Sequence, residues 1–145
     1  MTRNLIKQIS VFAENKPGRI SRISHILSEA DVNIRAFTIA EANEFGIIRM
    51  VLDNPEKAGK ILRHKGFTVT ETEVIGVEMR DTPGGLGEIV NVLGKNNINI
   101  EYAYAFTTKT GKALLILRVD QNEPAIQSLQ ANGVKIVDMA EVEDL

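Results

Sequence analysis

The chain has no cysteine and no tryptophan, and aromatic residues make up only 5% of it. Without cysteine there are no disulfides, no zinc-thiolate sites and no thiol nucleophile, and the composition fits a reducing compartment. No run approaches the 18 apolar residues that a membrane-spanning helix needs, and Met1-Thr2-Arg3-Asn4-Leu5-Ile6-Lys7 breaks its apolar run too early for a signal peptide. Seventeen Lys and Arg stand against nineteen Asp and Glu, a formal net charge of −2 with no basic block. That leaves no electrostatic footprint for nucleic acid or an anionic membrane. The remaining composition, 43% hydrophobic and 25% charged, is that of an ordinary folded domain, and a cytoplasmic location is expected.

What is present is a repeat. Asn15-Lys16-Pro17-Gly18-Arg19-Ile20 returns 66 residues on as Asp81-Thr82-Pro83-Gly84-Gly85-Leu86, and Asp31-Val32-Asn33-Ile34 returns as Asn97-Ile98-Asn99-Ile100. Beyond one inserted residue, Met50-Val51-Leu52-Asp53 matches Leu117-Arg118-Val119-Asp120, and Gly66 matches Gly133, at a spacing of 67. The 145 residues therefore read as two domains, 1–72 and 73–145. Units this small bury only about 60% of their unfolded surface, so the two copies are expected to support one another.

Within each copy the patterning alternates between the two periods. Leu5 to Ala13 alternates as a half-buried strand, and Ile20, Ile23, Ile26, Leu27 and Ala30 form a helical stripe after Pro17-Gly18. Ile34–Ala40 and Gly46–Leu52 read as strands around a hairpin at Asn43-Glu44, Pro55 opens a second helix that ends before Gly66, and Phe67–Thr72 is a fourth strand. The second copy repeats the order: Val74–Met79, the stripe Leu86, Ile89, Val92 and Leu93, Ile100–Phe106, a hairpin at Lys109–Lys112, Ala113–Val119, a helix over Pro124–Ala131 and a strand over Val134–Val137. Thr68 to Met79 reads as one extended stretch, and Glu141, Glu143 and Asp144 as a solvated acidic tail. Two βαββαβ units make an α+β chain of tandem ferredoxin-like plaits with helices on one face.

Catalytic constellations are missing. His25 and His64 lie in different helices with no ligand partner at metal-site spacing, and Asp53, Asp120 and Glu73 sit at strand ends as turn acceptors. Gly84-Gly85-Leu86-Gly87 has neither dinucleotide-loop spacing nor a following Lys-Ser/Thr. Tyr102, Tyr104 and Phe106 alternate as RNA-stacking aromatics would, but without flanking cations they read as packing residues. No enzyme, cofactor or metal is expected.

The recurring site is a strand ending in Asn15 or Asp81, one variable residue, Pro, Gly and a helix. A helix start offers unpaired N–H groups to a carboxylate, and the carbonyl of Asn33 or Asn99, placed close by in the plait, suits an ammonium. Together these describe a site for a free α-amino acid over Asn15, Lys16, Pro17, Gly18, Arg19, Ile20, Asn33 and Ile34, and again over Asp81, Thr82, Pro83, Gly84, Gly85, Leu86, Asn99 and Ile100.

Both copies resemble ACT domains, the amino-acid-sensing modules of amino-acid metabolism, over nearly the whole chain. The opening Glu14–Ile23 with Val32-Asn33-Ile34 is especially similar to the acetolactate synthase regulatory subunit. The resemblance implies a non-catalytic sensor whose effector sits between two ACT domains, on the first loop of one and the second strand of the other. It also implies a partner enzyme or a homodimer. Family members that sense serine carry a His two residues before the loop Asn; Ala13 and Met79 stand there, so serine is not implied. The size swap between Ala36-Phe37 and Tyr102-Ala103 leads to the expectation of one eight-stranded sheet joined through the second strands, with the Asp81 loop facing Asn33 in the tighter of two sites and the Asn15 loop facing Asn99. Two other readings stand beside this one: a regulatory interaction subunit without its own ligand, and a small acylphosphatase-like enzyme, disfavoured because Gly85 replaces Arg19.

Overall fold

The computed structural model describes residues 5–42, 44–107 and 111–143. Asn43, Lys109 and Thr110 of the expected hairpins, and Asp144 of the expected tail, lie outside them. The chain divides into two compact units, Lys7–Thr72 and Glu73 onward, with Leu5 and Ile6 grouped with the second.

The first unit is built from β1 (Ile6–Glu14), α1 (Arg19–Glu29), β2 (Ile34–Ala42), β3 (Phe45–Leu52), α2 (Pro55–His64) and the opening of β4 (Thr68–Arg80). Strand β4 continues without a break into the second unit, which follows with α3 (Gly85–Lys95), β5 (Ile100–Thr107), β6 (Lys112–Val119), α4 (Asn122–Ala131), β7 (Ile136–Val137) and α5 (Met139–Glu143). Alternation sends Ile9, Val11 and Ala13 of β1 and Ile48, Met50 and Leu52 of β3 to one face, where Ile23, Ile26 and Leu27 of α1 and Ala58 and Leu62 of α2 cover them. The same arrangement recurs in the second unit, with Ile75, Val77, Leu115 and Leu117 under Ile89, Leu93, Ile126 and Leu129. Each such aliphatic side chain contributes about 1.5–3 kcal/mol through burial.

All four long helices end in the same way. The C′ residues Asp31, Gly66, Asn97 and Gly133 have φ of 59°, 93°, 57° and 76°. The amides of Val32, Phe67, Ile98 and Val134 reach back to Leu27, Leu62, Leu93 and Leu129 at 2.9–3.0 Å. These are Schellman motifs, which satisfy carbonyls the last turn would leave orphaned.

The strands run in the hydrogen-bonded order β2-β3-β1-β4-β6-β5, with β7 also pairing β4. Several expectations are corrected here. Among the described residues there are seven strands and not eight, because the last strand of the first copy and the first strand of the second are one strand, β4. Nor, among the described residues, does β2 pair with β5: β2 pairs with β3 and β5 with β6, and each ends the hydrogen-bonded order. The swap at Ala36-Phe37 and Tyr102-Ala103 therefore sits on two edge strands and not in a seam. The last strand is short because Val134 spends its amide on the α4 cap. The expected acidic tail folds at Asp138 into α5 through a capping box, in which Asp138 Oδ1 accepts from the Glu141 amide at 3.0 Å and Glu141 Oε1 accepts from the Asp138 amide at 3.4 Å.

Candidate functional site

The Pro-Gly pairs form type II turns. Arg19 donates its amide to Lys16 O at 3.4 Å and Gly85 donates to Thr82 O at 3.0 Å, with Pro17 and Pro83 at the second turn position and Gly18 and Gly84 third, at φ 89° and 87°. That φ explains both glycines without a ligand, since L side chains rarely adopt it. The turns nevertheless leave donors free. Neither helix start has a side-chain cap, and the first helical bonds run from Arg22 to Gly18 O and from Glu88 to Gly84 O. Among the described residues the amides of Ile20 and Ser21, and of Leu86 and Gly87, are thus the donors of their first turns without a partner. A Cβ on Gly18 or Gly84 would meet nothing within 4 Å, so space lies open over both turns. Ile20 and Leu86, read as stripe residues, are instead 41% and 50% exposed beside these donors.

The loops differ in charge. Glu14 is paired with Arg19 at 2.9 Å and Lys16 at 3.0 Å, and Lys16 foremost, with Arg19, holds its carboxyl below the ordinary glutamate value. In the second unit Arg80 pairs with Glu88 instead, and Asp81 is exposed. Gly85 packs against the strand end so closely that a Cβ there would lie 2.0 Å from the Arg80 carbonyl oxygen, which is why no counterpart of Arg19 is accommodated.

Asn33 and Asn99 are held by a repeated clamp. The Asn33 amide donates to Asp53 Oδ1 at 2.9 Å while the Asp53 amide returns to Asn33 O at 3.1 Å; for Asn99 and Asp120 the distances are 3.1 and 3.2 Å. Asp53 and Asp120 are turn acceptors, as their strand-end positions imply, and they fix the backbone so that both Asn side chains face solvent. Around Asn33 a cleft of about 460 Å³ is lined by Ser24, Ser28, Asp31 and Asp53, with Ile34 at its edge. Sequence reasoning passed over those hydroxyls and Asp31; their one signal is the spacing of Ser24, Ser28 and Asp31 on one side of α1.

Loop and Asn do not come together within a unit. Asn15–Ile20 lies at the start of α1 and Asn33-Ile34 beyond its end, and eleven residues at 1.5 Å each separate them by about 16 Å. The same length of α3 separates Asp81–Leu86 from Asn99-Ile100. The expectation that these groups are close neighbours in one plait is therefore wrong: in each unit the uncapped helix amides and the clamped Asn stand at opposite helix ends. Among the described residues no group of three or more His, Cys, Asp and Glu could hold a metal ion, and no helix is long and apolar enough to cross a membrane.

Two ferredoxin-like plaits in tandem, each presenting uncapped helix amides at one end and a clamped Asn at the other, define an α+β module. The chain belongs to the ACT domain pair family, whose model matches residues 4–145. Protein BT0572 from Bacteroides thetaiotaomicron is similar over 100% of both chains, at 30% identity and a TM-score of 0.94. The ligand-free regulatory subunit of aspartate kinase from Thermus thermophilus matches 90% of this chain and 95% of its own at 14% identity and a TM-score of 0.65. Aspartokinase alpha and beta subunits match 90% and 93% at 19% identity and a TM-score of 0.61. At these last two identities the likeness is one of fold. No protein of curated function matches significantly in sequence.

Proposed function

We propose that the protein is a non-catalytic cytoplasmic sensor that binds a free α-amino acid and conveys its presence to an enzyme of amino-acid metabolism. The observation that carries the reading is the recurrence, in both units, of a helix start with open space above it and no side-chain cap. Its donors suit a carboxylate, and the cleft around Asn33, with the carboxylates of Asp31 and Asp53, suits an ammonium. Because the two half-sites of a unit are a helix length apart, one amino acid bridges half-sites of two different chains. The exposed edge strands β2 and β5 are the surfaces on which a second copy would add. The likeness of fold to aspartate kinase regulatory subunits supports a partner enzyme in amino-acid synthesis.

Thermal-shift screening against the twenty amino acids at millimolar concentration tests this. A ligand at a hundredfold excess over its dissociation constant adds about 2.7 kcal/mol to the native state. A response abolished by Asn33→Ala supports the reading, and twenty null responses contradict it. The alternative is an interaction subunit without a ligand, favoured by one observation: Phe37 and Ile39 of edge strand β2 are 55% and 51% exposed. Under that reading association with a partner is unchanged by any amino acid.

A further inference from the structure

The repeat places a cleft at the same position in each unit and fills the two with different chemistry. In the first unit about 340 Å³ opens where β1 ends, beside the first turns of α1 and the junction of α2 with β4. In the second, about 690 Å³ opens between the corresponding elements. At repeat spacing Phe12 corresponds to Glu78, Arg22 to Glu88, Phe45 to Lys112 and Phe67 to Val134.

The charges of the second cleft satisfy one another. Glu78 takes Lys112 at 2.5 Å and Lys135 at 3.7 Å, Arg80 takes Glu88, and Lys135 takes Glu141 at 3.2 Å. The first cleft is not closed in this way. Its one carboxylate, Glu14, is already engaged by Lys16 and Arg19. The Arg22 guanidinium lies 5.7 Å over the Phe67 ring, and Lys65 has no ionic partner among the described residues. Beside these cations Phe12 and Phe45 are 41% and 54% exposed. Phenyl rings clustered with an excess of positive charge select for an apolar body carrying an anion, and the volume falls at the lower end of small-molecule sites, about 300–1,000 Å³.

We propose that the first-unit cleft binds a small aromatic carboxylate, its ring against Phe12, Phe45 and Phe67 and its carboxylate toward Arg22 and Lys65. The cleft's one carboxylate, Glu14, is taken up by Lys16 and Arg19, so the cleft favours an aromatic acid over the matching amino acid; it shares Arg19 with the first-unit loop and lies apart from the cleft around Asn33.

Phenylacetate is the probe, titrated into 15N-labelled full-length protein and followed by amide shifts. Saturating shifts at Arg22, Lys65 and Phe67 are expected, with acetate and 2-phenylethanol each requiring about tenfold higher concentration because each lacks one half of the recognition. Arg22→Met and Lys65→Met should each weaken phenylacetate by about tenfold. Should Arg22→Met fail to fold, Lys65→Met, at the exposed end of α2, decides. No saturation, an equal response to acetate, shifts confined to Lys112, Val134 and Lys135, or unchanged affinity in the folded variants overturns the proposal. Asn33→Ala, which removes the amino-acid response of the sensor, should leave phenylacetate binding unchanged, so the two readings fail separately.

Discussion

Gly85→Ala and Gly94→Ala make the same chemical change on one helix with opposite expected results. At Gly85 the new methyl would stand 2.0 Å from the Arg80 carbonyl oxygen and 3.1 Å from its carbon, both backbone atoms that cannot rotate aside. The turn closed by the Gly85 amide on Thr82 O must open, or the start of α3 must lift from the strand. Overpacking of this kind costs about 1–3 kcal/mol and sometimes more. At Gly94 a Cβ meets nothing within 4 Å, and removing a helical glycine stabilises by about 0.8–1 kcal/mol. For a chain of this length about 3 °C accompanies each kcal/mol, so Gly85→Ala should lower the melting temperature by about 3–9 °C while Gly94→Ala raises it by about 3 °C. Circular dichroism against temperature and urea reads both. A Gly85→Ala protein as stable as wild type would show that β4 and α3 do not approach as described.

Other consequences follow from the same geometry. Asp31 and Asn97 hold left-handed backbone without being glycine, so Asp31→Gly should be neutral or stabilising by up to about 1 kcal/mol in urea denaturation, whereas Asp31→Val should cost about 1–2 kcal/mol. Asp53→Ala removes the acceptor of the Asn33 amide and should destabilise by about 1 kcal/mol; amide exchange at Asn33 should accelerate while exchange at Asn99 does not. Glu78 is held below the ordinary glutamate value chiefly by its hydrogen bond to Lys112, so its stabilisation is present above the unfolded-state value of about 4.3 and is lost as pH falls through its lower folded value. Lys135, raised chiefly by Glu141, keeps its contribution below about 10.4 and loses it as pH rises through its higher folded value. Urea midpoints against pH should accordingly show an acid limb that Glu78→Gln flattens.

The repeat made the plait legible because the devices that repeat are local. A type II turn needs Pro17-Gly18 and Pro83-Gly84, and a Schellman end tolerates Asp31, Gly66, Asn97 or Gly133, so sequence spacing reports backbone geometry directly. The continuity of Thr68 to Met79 was legible for the same reason. Strand order was not. Which edge of a plait is taken depends on non-local pairing, and the contrast of Ala36-Phe37 with Tyr102-Ala103 is as compatible with two free edges as with a seam. Burial patterns could not measure the length of α1 between the loop and Asn33 as a separation in space, so loop and Asn read as neighbours. The capping box at Asp138 and Glu141 was present in the sequence, and the acidic character of the segment concealed it.

The central claim, that one amino acid bridges half-sites of two chains, is tested most directly by mixing two silent variants. Asp81→Ala disables a loop and Asn33→Ala an ammonium acceptor, and each alone should lose the tighter binding event in calorimetric titration with the amino acid found by screening. If loop and Asn belong to different chains of a twofold dimer, equal mixing and exchange pairs the intact Asn33 of one variant with the intact Asp81 loop of the other, restoring about one quarter of the wild-type tight sites. A mixture as silent as its parts would place the site within a single chain and contradict the account.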